Sequence, residues 1–271
     1  MRADYAEHYR TLWEEHWWWR SRERFIIDVL SRLTLPKAAR ILDVGCGDGL
    51  FFPSLERFGT VDGLEADPSL LNESTYRPRI QVGRLDRSFQ PGPNYDLLVI
   101  LDVLEHIDDD LEALRAAHQA LKPGGRILIT VPALDWLWSR HDQVNQHFRR
   151  YDRAQLQARL RASGFHVESV RYFFGWTVLP LLLRRWLSPP VNDPDSETAD
   201  YSVRIPPSII NRALTLLSKV DHWVGSRFPW PLGSSLIAVG SRGDSAFLTR
   251  KIGRTASIPL QPLGKGKGDG G

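Results

Sequence analysis

The sequence predicts an α/β fold: a doubly wound, seven-stranded, mostly parallel sheet with a helical insertion between its last two strands. Three observations carry this expectation. An apolar run ending in Asp43 reads as a buried strand, and Gly45, Gly47 and Gly49 then break it at alternate positions. Twenty residues beyond Gly45 a second apolar run ends in Glu65, at the spacing that sets an acidic side chain on the tip of a neighbouring strand. Further apolar runs at 97–101 and 127–131 leave room for right-handed crossovers through helices.

Taken in order, residues 12–33 read as a helix with Trp19, Arg22, Ile26, Val29, Leu30 and Leu33 on one face. Arginine on an apolar stripe needs a partner for its head group, or must reach past the tryptophans to water. Strands are expected at 40–44, 60–64, 80–83, 97–101, 127–131, 165–173 and 235–240. Pro123 with Gly124-Gly125 reads as the turn that ends a helix before the fifth strand. About 60 residues separate the last two strands, too many for a hairpin loop, so they form an insertion. It holds an apolar run at 173–183 and a polar, flexible stretch at 189–200. An amphipathic helix follows at 208–224, with Ile209, Leu214, Leu216, Leu217 and Val220 as its apolar positions, and then an aromatic exit to Trp230. The division is therefore an N-terminal helical cap (1–36), a core (37–172), the insertion (173–234), a final strand (235–243) and a disordered tail (244–271). No internal repeat is found.

Bulk properties narrow the class. The chain has 271 residues, 42% of them apolar and 25% charged, as a soluble globular protein does. Its single cysteine, Cys46, excludes a disulfide framework and a cysteine-built metal site and favours a reducing cytoplasm. No signal peptide opens the chain, and no segment has the roughly 20 apolar residues that span a bilayer. Residues 171–271 hold 13 Lys+Arg against 7 Asp+Glu, a net of +6; the whole chain carries +3, which leaves −3 for residues 1–170. A basic second half suits an anionic partner, either lipid headgroups or a phosphate-bearing substrate. Segments 173–185 and 208–230 are therefore candidates for peripheral contact with the inner face of a membrane. Basic residues do not alternate with exposed aromatics, so nucleic acid is not expected as a partner.

The glycine loop suggests the ligand. Gly-x-Gly-x-x-Gly marks dinucleotide sites, where a pyrophosphate meets a helix N-terminus. This chain has Gly-x-Gly-x-Gly, with Asp43 just before it and Asp48 inside it. Carboxylates there repel a pyrophosphate and suit a cationic ligand bearing an amino group, while Glu65 can hold the two hydroxyls of a ribose.

With these residues the chain resembles the class I S-adenosylmethionine-dependent methyltransferases, whose first motif looks like residues 42–49. Residues 95–106 resemble that family's fourth strand and the turn after it, and residues 121–132 its Pro-Gly-Gly turn and fifth strand. The opening His16-Trp17-Trp18-Trp19-Arg20-Ser21-Arg22 and the segment His147-Phe148-Arg149-Arg150-Tyr151 narrow the resemblance to a bacterial subgroup. The resemblance implies the Rossmann-like methyltransferase form of the fold and S-adenosylmethionine as cofactor. Gly45 and Gly47 would then let the main chain approach the methionine portion, Cys46 would pack beside it, and Asp43 would fix its amino group. Glu65 would bind the ribose, Ala66 and Asp86 would lie by the adenine, and Leu101 and Asp102 would complete the pocket floor. Arg22, on a helix that lies over the cofactor in related folds, would meet the methionine carboxylate.

Acceptor residues are sought in 133–151, which leaves the fifth strand at the crevice end of the sheet. His147 is the candidate general base, Arg149 or Arg150 a bidentate clamp for a carboxylate or phosphate, and Asp142 a further polar candidate. The alternative is an aromatic and cationic cap that folds the loop, with Asp152 as N-cap of the next helix. Asp142 and His147 are too few to argue a metal site, so none is expected. The expected activity is O-methylation of a small or lipid-linked acceptor of sugar or isoprenoid type. Two other readings remain at this point, an NAD-dependent oxidoreductase and a non-catalytic module that binds S-adenosylmethionine.

Overall fold

The computed structural model describes residues 10–71, 74–90, 94–187 and 204–243. The polar stretch at 189–200 and the tail at 244–271 lie outside the described residues. Seven strands form one sheet: β1 (Ala39–Val44), β2 (Gly59–Glu65), β3 (Ile80–Val82), β4 (Tyr95–Leu101), β5 (Leu121–Pro132), β6 (Phe165–Phe173) and β7 (Ser235–Arg242). Their order is β3-β2-β1-β4-β5-β7-β6. β7 runs antiparallel to both neighbours, β5 and β6, and the other pairs are parallel. The strand order reverses between β1 and β4, which run parallel, so both strands deliver their C-terminal ends to one crevice.

Alternation along each strand divides the core in two. Leu42, Leu98, Ile100, Ile127, Ile129 and Ala238 face one side, beneath α3 (Asp110–Ala120) and α5 (Arg153–Ala162). Ile41, Leu97, Val99, Leu128 and Ile237 face the other, beneath α1 (Trp17–Ser31) and α2 (Phe52–Leu55). A sheet covered on both faces has no polar side to spare, which is why its strands read as unbroken apolar runs.

Four features refine the sequence reading. The helix expected over 12–33 breaks at His16, whose Nδ1 accepts the Trp18 N–H at 3.2 Å and caps α1. The Pro-Gly-Gly segment does not end the preceding helix as a free turn. It lies inside β5, as an irregularity where β4 pairing moves from Tyr95–Leu121 to Leu97–Arg126, and Gly124 supplies the left-handed φ of +78° that the bend needs. Between β6 and β7 stand α6 (Val178–Leu187) and α7 (Ser208–Arg227). Of the apolar positions read on α7, Ile209, Leu216, Leu217 and Val220 are exposed and Leu214 is half-buried, whereas Ser218 and Asp221 are buried. Last, strand limits extend past their apolar runs wherever a neighbour continues the ladder, as at Gly59, which pairs with Ala39. Among the described residues no helix is long and apolar enough to cross a membrane.

α4 (Arg140–Val144) sits in the segment that joins β5 to α5. That segment is strapped across the sheet: Phe148 N–H donates to Glu105 O, and Tyr151 N–H to Pro132 O. Asp152 caps α5 as expected, accepting from Gln155 N–H at 2.7 Å.

Candidate active site

The glycine loop is shaped by what cannot fit beside it. Gly45 has φ +68°, and a Cβ there would come within 2.3 Å of Val103, so both backbone and space demand glycine. Gly47 has φ +55°, yet its missing side chain would meet nothing within 4 Å. That open space lets a ligand lie against the main chain. Cys46 packs toward Gly63, and burial pushes its thiol up, which keeps it out of nucleophilic chemistry.

Two buried carboxylates border the loop. Glu65, at the end of β2, accepts Gly47 N–H on Oε2 at 2.8 Å and Asp67 N–H on Oε1 at 2.9 Å. Each oxygen keeps a second acceptor site, so the carboxylate can accept from two further donors. Asp43 is buried at the end of β1. Burial pushes its carboxyl up to about 8, against the pull of Arg22 and with a further push from Glu65. A ligand ammonium would reverse that shift.

Arg22 settles the question its position raises: it does not reach past the tryptophans to water. Buried on α1, it pairs through Nη2 with Asp102 Oδ2 at 2.7 Å and donates to Thr130 Oγ1 at 2.7 Å. Thr130 in turn donates to Asp102 Oδ1 at 3.0 Å. Asp102 holds a left-handed φ of +55°, an outlier of the kind that marks functional sites. Leu101 is half-buried beside it. Two expected contacts are less well placed. Ala66 is exposed at the strand tip. Asp86 accepts from Ser88 N–H and Oγ, so its carboxylate serves its own turn, and those bonds hold it below the usual range.

Asp142 organises the acceptor side. Fully buried, it accepts Arg150 Nε at 2.8 Å on Oδ1 and Arg150 Nη2 at 2.9 Å on Oδ2, as well as Ser139 N–H at 2.8 Å. Its Oδ1 also lies 3.0 Å from His147 Nδ1. Burial alone would raise the Asp142 carboxyl, but the His147 and Arg150 hydrogen bonds with the Arg150 charge hold it well below the ordinary carboxylate range. An ionised carboxylate only accepts, so the proton on this contact belongs to His147 Nδ1, and a neutral imidazole here would carry its lone pair on Nε2.

Both arginines are committed to partners within the chain. Arg150 spends its fork on Asp142, and Nη1 donates to Ala133 O at 3.1 Å. Arg149 pairs with Asp110 at 3.1 Å and donates to Asp108 O at 2.7 Å. Tyr151 is core, its hydroxyl donating to Asp110 at 2.9 Å. Arg149, Arg150 and Tyr151 thus bond within the loop and its neighbours, as a folding cap would, whereas His147 meets Asp142 through Nδ1.

Sequence reasoning passed over Glu105. It is buried, its Oε2 lacks a hydrogen-bond partner, and burial together with Asp102 raises its carboxyl well above the usual range. Glu105, His106 and His147 each offer one ligand atom, all within 4.8 Å of one another. The set can receive a polar group and has the composition to hold a divalent ion. A count of Asp142 and His147 alone misses it, because the strap brings His147 onto the end of β4 from far along the chain.

A model of a methyltransferase domain family matches residues 18–170. A ubiquinone biosynthesis O-methyltransferase of Xanthomonas axonopodis pv. citri is 26% identical over 166 residues, covering 53% of this chain and 70% of that protein. One of the same name from Xanthomonas campestris pv. campestris is 34% identical over 112 residues, 38% of this chain and 46% of its own length. Among solved structures, an S-adenosylmethionine-dependent methyltransferase from Mesorhizobium loti superposes with a TM-score of 0.51 at 18% identity, over 79% of this chain and 96% of that one. The match over residues 18–170 runs from α1 to β6 and takes in the glycine loop, Glu65, Asp142 and His147.

Proposed function

Because the chain belongs to this methyltransferase domain family and is an S-adenosylmethionine-dependent enzyme, we propose that it methylates a hydroxyl of a small or lipid-linked acceptor of sugar or isoprenoid type. The family match removes the NAD-dependent oxidoreductase reading. The observation that carries the proposal is the Asp142–His147 pair at the crevice end of the sheet. A hydroxyl oxygen is a poor nucleophile until its proton leaves, whereas a free amine needs no such base. The names of the relatives agree with transfer to oxygen.

The residues fit the cofactor. Glu65 would take the ribose, Asp43 the amino group, and the bare edge of Gly47 the close approach of the main chain. When bound, S-adenosylmethionine supplies an electrophilic methyl group. The chain's own part is to align the acceptor and to accept its hydroxyl proton on His147 Nε2. Asp142 keeps Nδ1 protonated and steadies the imidazolium that forms. Glu105, raised toward its neutral form, can donate a hydrogen bond to the same acceptor.

Calorimetric titration with S-adenosylmethionine and S-adenosylhomocysteine tests the cofactor half. Glu65→Ala should weaken both by at least about tenfold, roughly 1.4 kcal/mol. The acceptor half is tested by a screen of hydroxylated isoprenoids and lipid-linked sugars, with the methylated atom located by mass spectrometry. A product methylated at nitrogen or carbon would overturn the proposal.

Asp43 also makes the titration pH-dependent. A carboxyl near 8 in the free protein must ionise beside the ligand ammonium, so binding releases a proton at lower pH. The complex then binds fewer protons than its parts, and affinity rises with pH, by up to about tenfold per unit between roughly pH 6 and 8. Asp43→Asn should flatten that slope, and an unchanged slope would show that Asp43 does not meet the ammonium.

A further inference from the structure

α7 is packed inside out. At helical spacing its outward stripe is Ile209, Leu216, Val220 and Trp223, with Ile209 82% exposed. Its inward side is polar. Asn211 accepts Trp17 N–H at 2.9 Å and donates to Glu15 O at 2.8 Å. Asp221 accepts Trp176 N–H at 3.2 Å, and His222 Nε2 lies 3.2 Å from Asp28. These bonds fix the rotation of the helix, because turning the apolar stripe inward would break every one of them and leave Trp17 N–H and Trp176 N–H without these acceptors. The outward apolar stripe is thus a built feature of α7.

α6 repeats the pattern, exposing Leu179, Leu183 and Trp186, the last at 79%. An apolar area of this extent marks an interaction surface. Charge identifies the partner. Arg184 on α6 and Arg212, Lys219 and Arg227 on α7 are exposed, and the one acid on either helix, Asp221, is buried. Cations edging an apolar stripe, with no exposed acid among them, match a bilayer whose headgroups are anionic. At about 15 Å and 30 Å these helices suit lying in the headgroup layer, and neither is apolar enough to cross.

We infer that the outward faces of α6 and α7 seat this protein on an anionic membrane surface. The inference stands apart from the reaction proposed above, since vesicle binding reads it without acceptor or cofactor. The full chain should co-sediment with phosphatidylcholine vesicles containing phosphatidylglycerol. It should bind pure phosphatidylcholine far more weakly and should leave the anionic vesicles as salt rises. The double variant Leu216→Glu, Trp223→Glu should lose about tenfold or more in partition, with unchanged circular dichroism and unchanged S-adenosylmethionine affinity. Arg212→Glu with Lys219→Glu should lose several-fold at low salt only. Equal partition of wild type and both variants would overturn the inference. So would absence of vesicle binding together with a stable oligomer that the Leu216/Trp223 variant dissociates, for that face would then join copies of this chain.

Discussion

Replacing His147 with alanine should lower turnover by about 10²- to 10⁴-fold, the usual contribution of a positioned general base, and leave S-adenosylmethionine affinity unchanged. The argument is geometric. Asp142 takes the Nδ1–H and leaves Nε2 as the free acceptor, while neighbouring Arg149 and Arg150 are already committed to Asp110 and Asp142. The fold should survive, since Asp142 keeps Arg150 and Ser139 when the imidazole is removed; the lost hydrogen bond costs about 1 kcal/mol. Steady-state rates on the acceptor found in the screen decide the matter. A variant whose kcat is intact and whose KM alone rises would make His147 a binding residue and remove it as the base.

Replacing Asp142 with alanine should be worse, because it harms both fold and chemistry. Arg150 would keep its buried charge with a single carbonyl partner, Ala133 O, and stranding one half of a buried ion pair costs about 3–5 kcal/mol. Ser139 N–H and the orientation of His147 would be lost with it. Urea denaturation should show the midpoint falling steeply, and Asp142→Asn should fall less, because it retains an acceptor oxygen. The same carboxylate sets an acid limit on the wild type. Its carboxyl is depressed in the folded state, so its contribution is complete above the unfolded value near pH 3.9 and is lost as pH falls below it. If Asp142→Ala were as stable as wild type, Arg150 would have to find another partner, and the strap would not depend on this pair.

What was legible in the sequence was local. Gly45, Gly47 and Glu65 sit at strand tips, and a strand tip is marked by where its apolar run stops. Asp152 as a cap and the limits of β6 were legible for the same reason. The hidden features join residues far apart in the chain. Arg22 stands out as a cation on an apolar stripe, but nothing near it in sequence names Asp102 or Thr130 as its partners. Arg149 and Arg150 look like an anion clamp because residue type shows what a side chain can bind and not which carboxylate of its own chain reaches it first. α7 shows a different limit. Its period announces a helix with an apolar face, yet periodicity carries no information about which side the core lies on. Only the hydrogen bonds of Asn211 and Asp221 decide that. Pro123-Gly124-Gly125 has every mark of a free turn, and becomes a bend within β5 because β4 supplies a partner at Tyr95.

The Arg22–Asp102 pair bears on how this protein can be divided. By sequence the first 36 residues form a cap that could be exchanged or trimmed. By charge they belong to the centre of the site, since the counter-ion of a β4 carboxylate arrives from α1. A shortened chain starting at β1 would retain every strand of the sheet, yet hold Asp102 in its left-handed turn facing Thr130 without Arg22. The smallest unit able to assemble this pocket is therefore larger than the sheet and its crossover helices.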